Sequence, residues 1–170
     1  QHYRDAKILT IYEGTTAIQA NDLVGRKTAR DGGATAKVLA AEIEKTQAAL
    51  LADGSIAAQA VAQRLDTARK AFLDAVEFIA SQAKPNPNAA YAGSVPYLML
   101  AGNLVSGWQM ARALLAAQAL LAKGEDVAFL QAKIATAQFY AEHILVKTGA
   151  LRDSIVGGAG SVMALPLEAF

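Results

Sequence analysis

The sequence predicts an all-α chain, an antiparallel four-helix bundle preceded by a helix-turn-helix, on three observations. Apolar residues make up 54% of the 170, and much of that share is alanine, a strong helix former without β-branched bulk. Between positions 61 and 79, Val61, Leu65, Ala68, Phe72, Val76 and Ile79 recur at steps of four, three, four, four and three. That is the period of a helix buried along one stripe. Residues 34 to 147 divide into four long helical stretches joined by short breaks, the pattern of an antiparallel bundle.

Each element has a local reason. Tyr3, Ala6, Ile8, Leu9, Ile11 and Tyr12 predict a first helix over 3–12, with Gly14 as its stop. Thr15 and Thr16 are natural caps for a second helix over about 17–30, and Thr16 to Gln19 has the T-x-x-Q spacing of a capping box. Ile18, Leu23 and Val24 are its expected buried positions. Asp31-Gly32-Gly33 closes that unit. A third helix is expected over 35–51, with Val38, Leu39, Ile43 and Leu50 as its apolar side chains. Asp53-Gly54-Ser55 is a turn whose serine caps the next, longer helix. Lys84-Pro85-Asn86-Pro87-Asn88 is the clearest breaker, because prolines and the residues before them resist helix. A nearly uncharged run from Tyr91 to Ala122 predicts another helix, and Asp126 is placed to cap one over 127–146. The tail from Leu151, with Gly157-Gly158-Ala159-Gly160, has room for short helical pieces.

The bulk numbers exclude several functions. Lys plus Arg number 16 and Asp plus Glu 15, so a net charge of +1 gives no electrostatic reason to expect nucleic acid or an anionic membrane. Without cysteine there are no disulfides, thiolate metal sites or thiol nucleophiles, which is compatible with a cytoplasmic location. The 91–122 run approaches the ~20 apolar residues that span a bilayer. Arg112, Asn103, Gln109 and Gln118 interrupt it, and a central helix covered by its neighbours explains the same residues without membrane insertion. A helical pattern already running by Tyr3-Arg4-Asp5, with no basic or apolar leader, reads as a piece of a longer chain.

Most chemistry-bearing residues have bland readings. His2 and His143 lie far apart, and Glu142-His143 lacks the second E-x-x-H partner of a di-iron bundle, so no metal site is expected. Glu42 and Glu44 point to different helix faces and make a poor acid/base pair. The glycines at 157–160 lack the preceding strand and the G-x-G-x-x-G spacing of a dinucleotide site. Arg26, Lys27, Arg30 and Lys37 sit around a helix C-terminus, where cations relieve the negative end of the dipole.

Glu13 differs. A carboxylate at a helix C-terminus is placed against the dipole, and apolar neighbours would add desolvation. Both raise a glutamate from its ordinary ~4.3 and suit it to accept a proton. A surface helix junction and a catalytic base are both compatible with these residues.

The stretch "IYEGTTAIQANDLVGRK", with Arg4-Asp5-Ala6-Lys7-Ile8 before it, resembles the segment of flavin-dependent acyl-CoA dehydrogenases in which an aromatic-Glu-Gly-Thr sequence joins the last two helices of the catalytic unit. "YLMLAGNLVSGWQMARAL" (97–114) and "AKIATAQFYAEHIL" (132–145) resemble the extra C-terminal helical domain of the larger members. The resemblance implies that residues 1–30 end the catalytic unit and 31–170 form the appended bundle. It implies Glu13 as the base that removes the pro-R α-proton of an acyl-CoA while the β-hydrogen leaves as hydride to flavin N5. Gly14 would lie against the thioester end of the substrate. Thr15, Thr16 and Ala17 would face FAD, the last through its backbone alone, since this chain has alanine where several relatives carry a polar residue. An electron-transfer flavoprotein as acceptor and a homo-oligomer are implied in the same way. The 170-residue chain itself is expected to bind no FAD stoichiometrically and to turn nothing over. The rival reading is a noncatalytic helical interaction or oligomerisation module; a relative that has turned to nucleic acid is disfavoured by the near-neutral charge.

Overall fold

A computed structural model describes residues 1–11, 14–124 and 126–169, and among them every regular element is helical. The chain opens with α1 (His2–Asp5), which tightens into a 3₁₀ segment over Ala6–Thr10. Of the expected 3–12 helix, residues 3–10 are helical and mostly of the tighter kind, and Tyr12 lies outside the described residues. Tyr3, Ile8, Leu9 and Ile11 are all exposed, so no packed face draws these residues into a regular α-helix.

Next comes α2 (Thr16–Asp22), continued without a break by a π turn over Leu23–Thr28 and a 3₁₀ turn over Ala29–Asp31. The π turn has a packing reason. Ala20, Val24 and Thr28 are buried at steps of four. On a 3.6-residue helix such a row drifts about 80° around the axis, and the wider π turn brings it back toward one face. Ile18 corrects the sequence expectation: it is 63% exposed, on a side of this helix left uncovered among the described residues.

Asp31-Gly32-Gly33 makes the corner. Gly32 and Gly33 take left-handed φ of 64° and 82°, and the Gly33 amide donates to the Thr28 carbonyl at 2.9 Å. Asp31 caps the next helix: one carboxylate oxygen accepts from the Gly33 amide at 3.0 Å, the other from the Thr35 amide at 3.0 Å and hydroxyl at 2.6 Å. These bonds, the Thr35 hydroxyl foremost, hold the Asp31 carboxyl below its ordinary value.

Four long helices then run as α3 (Ala34–Asp53), α4 (Ile56–Gln82), α6 (Ser94–Leu121) and α7 (Val127–His143), with the short α5 (Pro87–Ala92) between the second and third. Ser55 caps α4 by accepting from the Ala58 amide at 3.3 Å. The double-proline breaker resolves into an end and a start: Asn86 caps α5 and Pro87 takes its first turn, where a missing N–H costs nothing. Asp126 precedes α7 but makes no capping bond with its side chain. The helix ends at His143, short of the expected 146, because a 3₁₀ turn over Leu145–Lys147 redirects the chain into α8 (Thr148–Gly157) and α9 (Ala159–Val162). The glycine cluster marks the junction between these last two.

Helices α4 and α6 form the centre. They pack on each other, and each also packs on α3, α7 and α8. They run antiparallel. Gln118, near the end of α6, donates to the Ser55 hydroxyl at the head of α4 at 3.1 Å, while Tyr97 near the head of α6 stacks on Phe72 farther along α4. Every periodic residue of α4 named above is buried, as are Tyr97, Leu100, Leu104, Ala111, Leu114 and Ala117 on α6. The uncharged run is thus a central helix, although Gly102, Ser106, Gln109 and Arg112 keep one strip of it in solvent. Among the described residues no helix is long and apolar enough to cross a membrane.

The outer helices are tied on by polar contacts. Trp108 donates from its indole to the Thr46 hydroxyl at 2.7 Å, joining α6 to α3; the Tyr140 hydroxyl donates to the Asn103 carbonyl at 3.3 Å, joining α7 to α6; Arg152 on α8 pairs with Asp74 on α4 at 3.1 Å. On α3, Ile43 and Leu50 are buried as expected, but Val38 is 66% exposed because it faces away from both α4 and α6.

Candidate active site

The junction singled out in the sequence lies at the head of α2. Glu13 is outside the described residues. Gly14, Thr15, Thr16 and Ala17 are brought together there, all exposed. Thr15 is the extended residue before the helix (φ −60°, ψ 151°), and its carbonyl accepts the first helical bond, from the Gln19 amide at 3.1 Å. The helix therefore starts one residue too early for a box built on Thr16 and Gln19. The Gln19 amide nitrogen of the side chain instead lies over Gly14, 2.6 Å from where a β-carbon would stand. The Thr15 side chain makes no capping bond to the first turn of α2. Among the described residues, the leading amides and two threonine hydroxyls thus form a set of donors without a capping partner, next in sequence to the glutamate.

The other sequence candidates sit elsewhere. Glu42 pairs with Lys45 at 2.6 Å, and Glu44 reaches across to Arg69 at 3.1 Å. His143 stacks on Phe139 with ring centroids 4.4 Å apart. Among the described residues no three His, Cys, Asp or Glu side chains are grouped to hold a metal. Arg26 pairs with Asp22 one turn back, at 3.1 Å.

What sequence reasoning missed is how this junction is held to the bundle. The Thr28 and Tyr97 hydroxyls are 2.9 Å apart, both residues at most 1% exposed. Burial pushes the Tyr97 phenol up to about 12, against a partial offset from that hydrogen bond. The pair is therefore neutral throughout the physiological range. Thr28 falls four residues after Val24 and eight after Ala20, a spacing that already marks it as facing inward. Beside the pair runs an apolar groove of about 350 Å³, walled by Leu23, Leu39, Phe72, Leu98 and Val105. A second, more polar cleft of about 530 Å³ lies between α3 and α6 under Trp108, Arg112 and Lys45. Gly14, Thr15, Thr16 and Ala17 line neither.

Comparison with known proteins covers nearly the whole chain. A family model described as "Acetyl-CoA dehydrogenase C-terminal like" matches residues 39–166. The 3-methylmercaptopropionyl-CoA dehydrogenase of Ruegeria pomeroyi is 53% identical over 98% of this chain and 28% of its own length. The broad-specificity linear acyl-CoA dehydrogenase FadE5 of Mycobacterium tuberculosis is 34% identical over 100% of this chain and 29% of its own. The butyryl-CoA dehydrogenase of Syntrophomonas wolfei is 30% identical over 98% and 28% respectively. The chain thus spans less than a third of the length of these relatives. With three quarters of its residues inside the family match and a helical architecture throughout the described residues, the chain belongs to the acyl-CoA dehydrogenase family, as a C-terminal part.

Proposed function

We propose that this chain is the C-terminal part of an FAD-dependent acyl-CoA dehydrogenase that oxidises an acyl-CoA to the trans-2-enoyl-CoA. The observation that carries the proposal is the 53% identity to a dehydrogenase of a CoA thioester, over an alignment long enough to include the junction at 11–19. Residues 1–30 complete the catalytic unit, and 31–170 are the appended bundle.

In this reading Glu13 accepts the α-proton of the thioester. The α C–H bond breaks, its proton passes to the carboxylate, and its electrons enter the new double bond. FAD, when bound, supplies the acceptor for the β-hydride. Gly14 adds no side chain of its own to obstruct the thioester end of the substrate. The donor set of Thr15, Thr16 and the Ala17 amide suits the polar edge of a flavin, because the first turn of α2 is exposed and its N-cap threonine makes no side-chain bond to the leading amides. An electron-transfer flavoprotein is the onward acceptor, and the working protein is a homo-oligomer.

The test is a Glu13→Gln variant of the longer protein, assayed with an artificial electron acceptor against butyryl-CoA, 3-methylmercaptopropionyl-CoA and longer linear thioesters. Turnover is expected to vanish while flavin content is retained. Wild-type turnover in that variant would remove Glu13 from the mechanism. The 170-residue chain on its own is expected to be colourless and inactive, and a yellow, flavin-loaded preparation would overturn that expectation.

A further inference from the structure

Residues 16–31 form one unbroken helical column, α-helical at its head and π-helical where it meets the bundle. Head and foot therefore turn together. A rotation at 23–28 reaches Thr15–Ala17, because no hinge lies between them to absorb it. Over the head of the column, Ala17, Ile18 and Gln19 are exposed, so within this chain the column is oriented by the inward row Ala20, Val24 and Thr28.

The first two of those contacts are apolar and carry no directional bond. Thr28 cannot slide freely, because its hydroxyl is hydrogen-bonded to Tyr97 inside the core. Tyr97 is itself fixed, stacked on Phe72 with the ring planes 4° apart. A second tyrosine bears on the same turn: the Tyr91 hydroxyl occupies the place that a β-carbon at Gly25 would need. Two side chains of the appended bundle thus meet the π turn at points three residues apart, one by a directional bond and one by close contact.

We propose that Tyr97, acting through Thr28, is a positioning residue that sets the rotation of the column and hence the aim of the 14–17 junction at its head. The bundle then serves the reaction. This rests on the dehydrogenase reading above.

The test uses the longer protein, flavin-loaded. Tyr97→Phe and Thr28→Val each remove the hydrogen bond, and each is expected to lower kcat by about 3–10-fold, the range that one net hydrogen bond sets, with KM and flavin content held. The double variant is expected to be no slower than the worse single one. Thr28→Ser, which keeps the hydroxyl, is expected to restore kcat. A purely structural role would lower the melting temperature and leave kcat within about twofold of wild type, and that result overturns the proposal. So does a double variant whose losses multiply. Should Tyr97→Phe shed its flavin, the comparison of Thr28→Ser with Thr28→Val decides the question by the same criterion. Glu13→Gln, measured alongside, separates the two ideas. A dead Glu13→Gln beside an unaffected Tyr97→Phe sinks the positioning role alone, whereas an active Glu13→Gln sinks the assignment of the base.

Discussion

Replacing Gly33 by alanine separates two costs that usually arrive together. Gly33 has φ +82°, where an L side chain crowds its own backbone at about 1–2 kcal/mol. An alanine methyl at this position would also stand 2.5 Å from a γ-carbon of Val76, a contact that must be relieved by turning the Val76 side chain off its rotamer or by moving α3 or α4. Overpacking of this kind adds about 1–3 kcal/mol. Gly32 is the control next door: its φ is +64°, and a methyl there meets nothing within 4 Å. Gly32→Ala should therefore carry the backbone cost alone and lower the melting temperature of the 170-residue chain by about 2–8 °C. Gly33→Ala should lose about 2–5 kcal/mol, or roughly 4–20 °C. Adding Val76→Ala should return part of the Gly33→Ala loss, so that the double variant is more stable than the sum of the singles predicts. Thermal and denaturant unfolding of the four variants give all the terms. Equal losses at Gly32 and Gly33, or strict additivity with Val76→Ala, would refute the claim that the corner is pressed against α4.

Two pH dependences follow from the geometry. The Asp31 carboxyl is held below its ordinary value in the folded chain, so its capping bonds contribute above the unfolded value and are lost as pH falls through the folded one. Asp31→Ala should thus lower the melting temperature at neutral pH, with the difference from wild type shrinking in acid. For Tyr97 the sign is opposite. Its folded value of about 12 lies above the ordinary 10.0, so its contribution is intact below pH 10 and lost between there and about 12. Denaturant unfolding at stepped alkaline pH should show wild type losing stability faster than Tyr97→Phe across that window.

Much of this protein was legible in its sequence. The stripe from Val61 to Ile79, the Ser55 cap and the Pro85–Pro87 break each depend on residues close in sequence, and each stands where expected. Helix period, capping and proline stereochemistry are local forces, so local sequence reports them faithfully. The role proposed for the motif at 11–19 rests on the same kind of signal, a run of residues adjacent in sequence.

What the tertiary structure decided was everything that depends on which face meets which partner. Ile18 and Val38 are as apolar as Val24 and Ile43, yet the first two are exposed and the second two are buried. Nothing in a single helix distinguishes them, because burial is a property of the neighbouring helix. The π turn at Leu23–Thr28 is the sharpest instance. Its residues have no special propensity for that winding; it exists because Ala20, Val24 and Thr28 must all face a bundle whose Tyr97 lies sixty-nine positions beyond Thr28 along the chain.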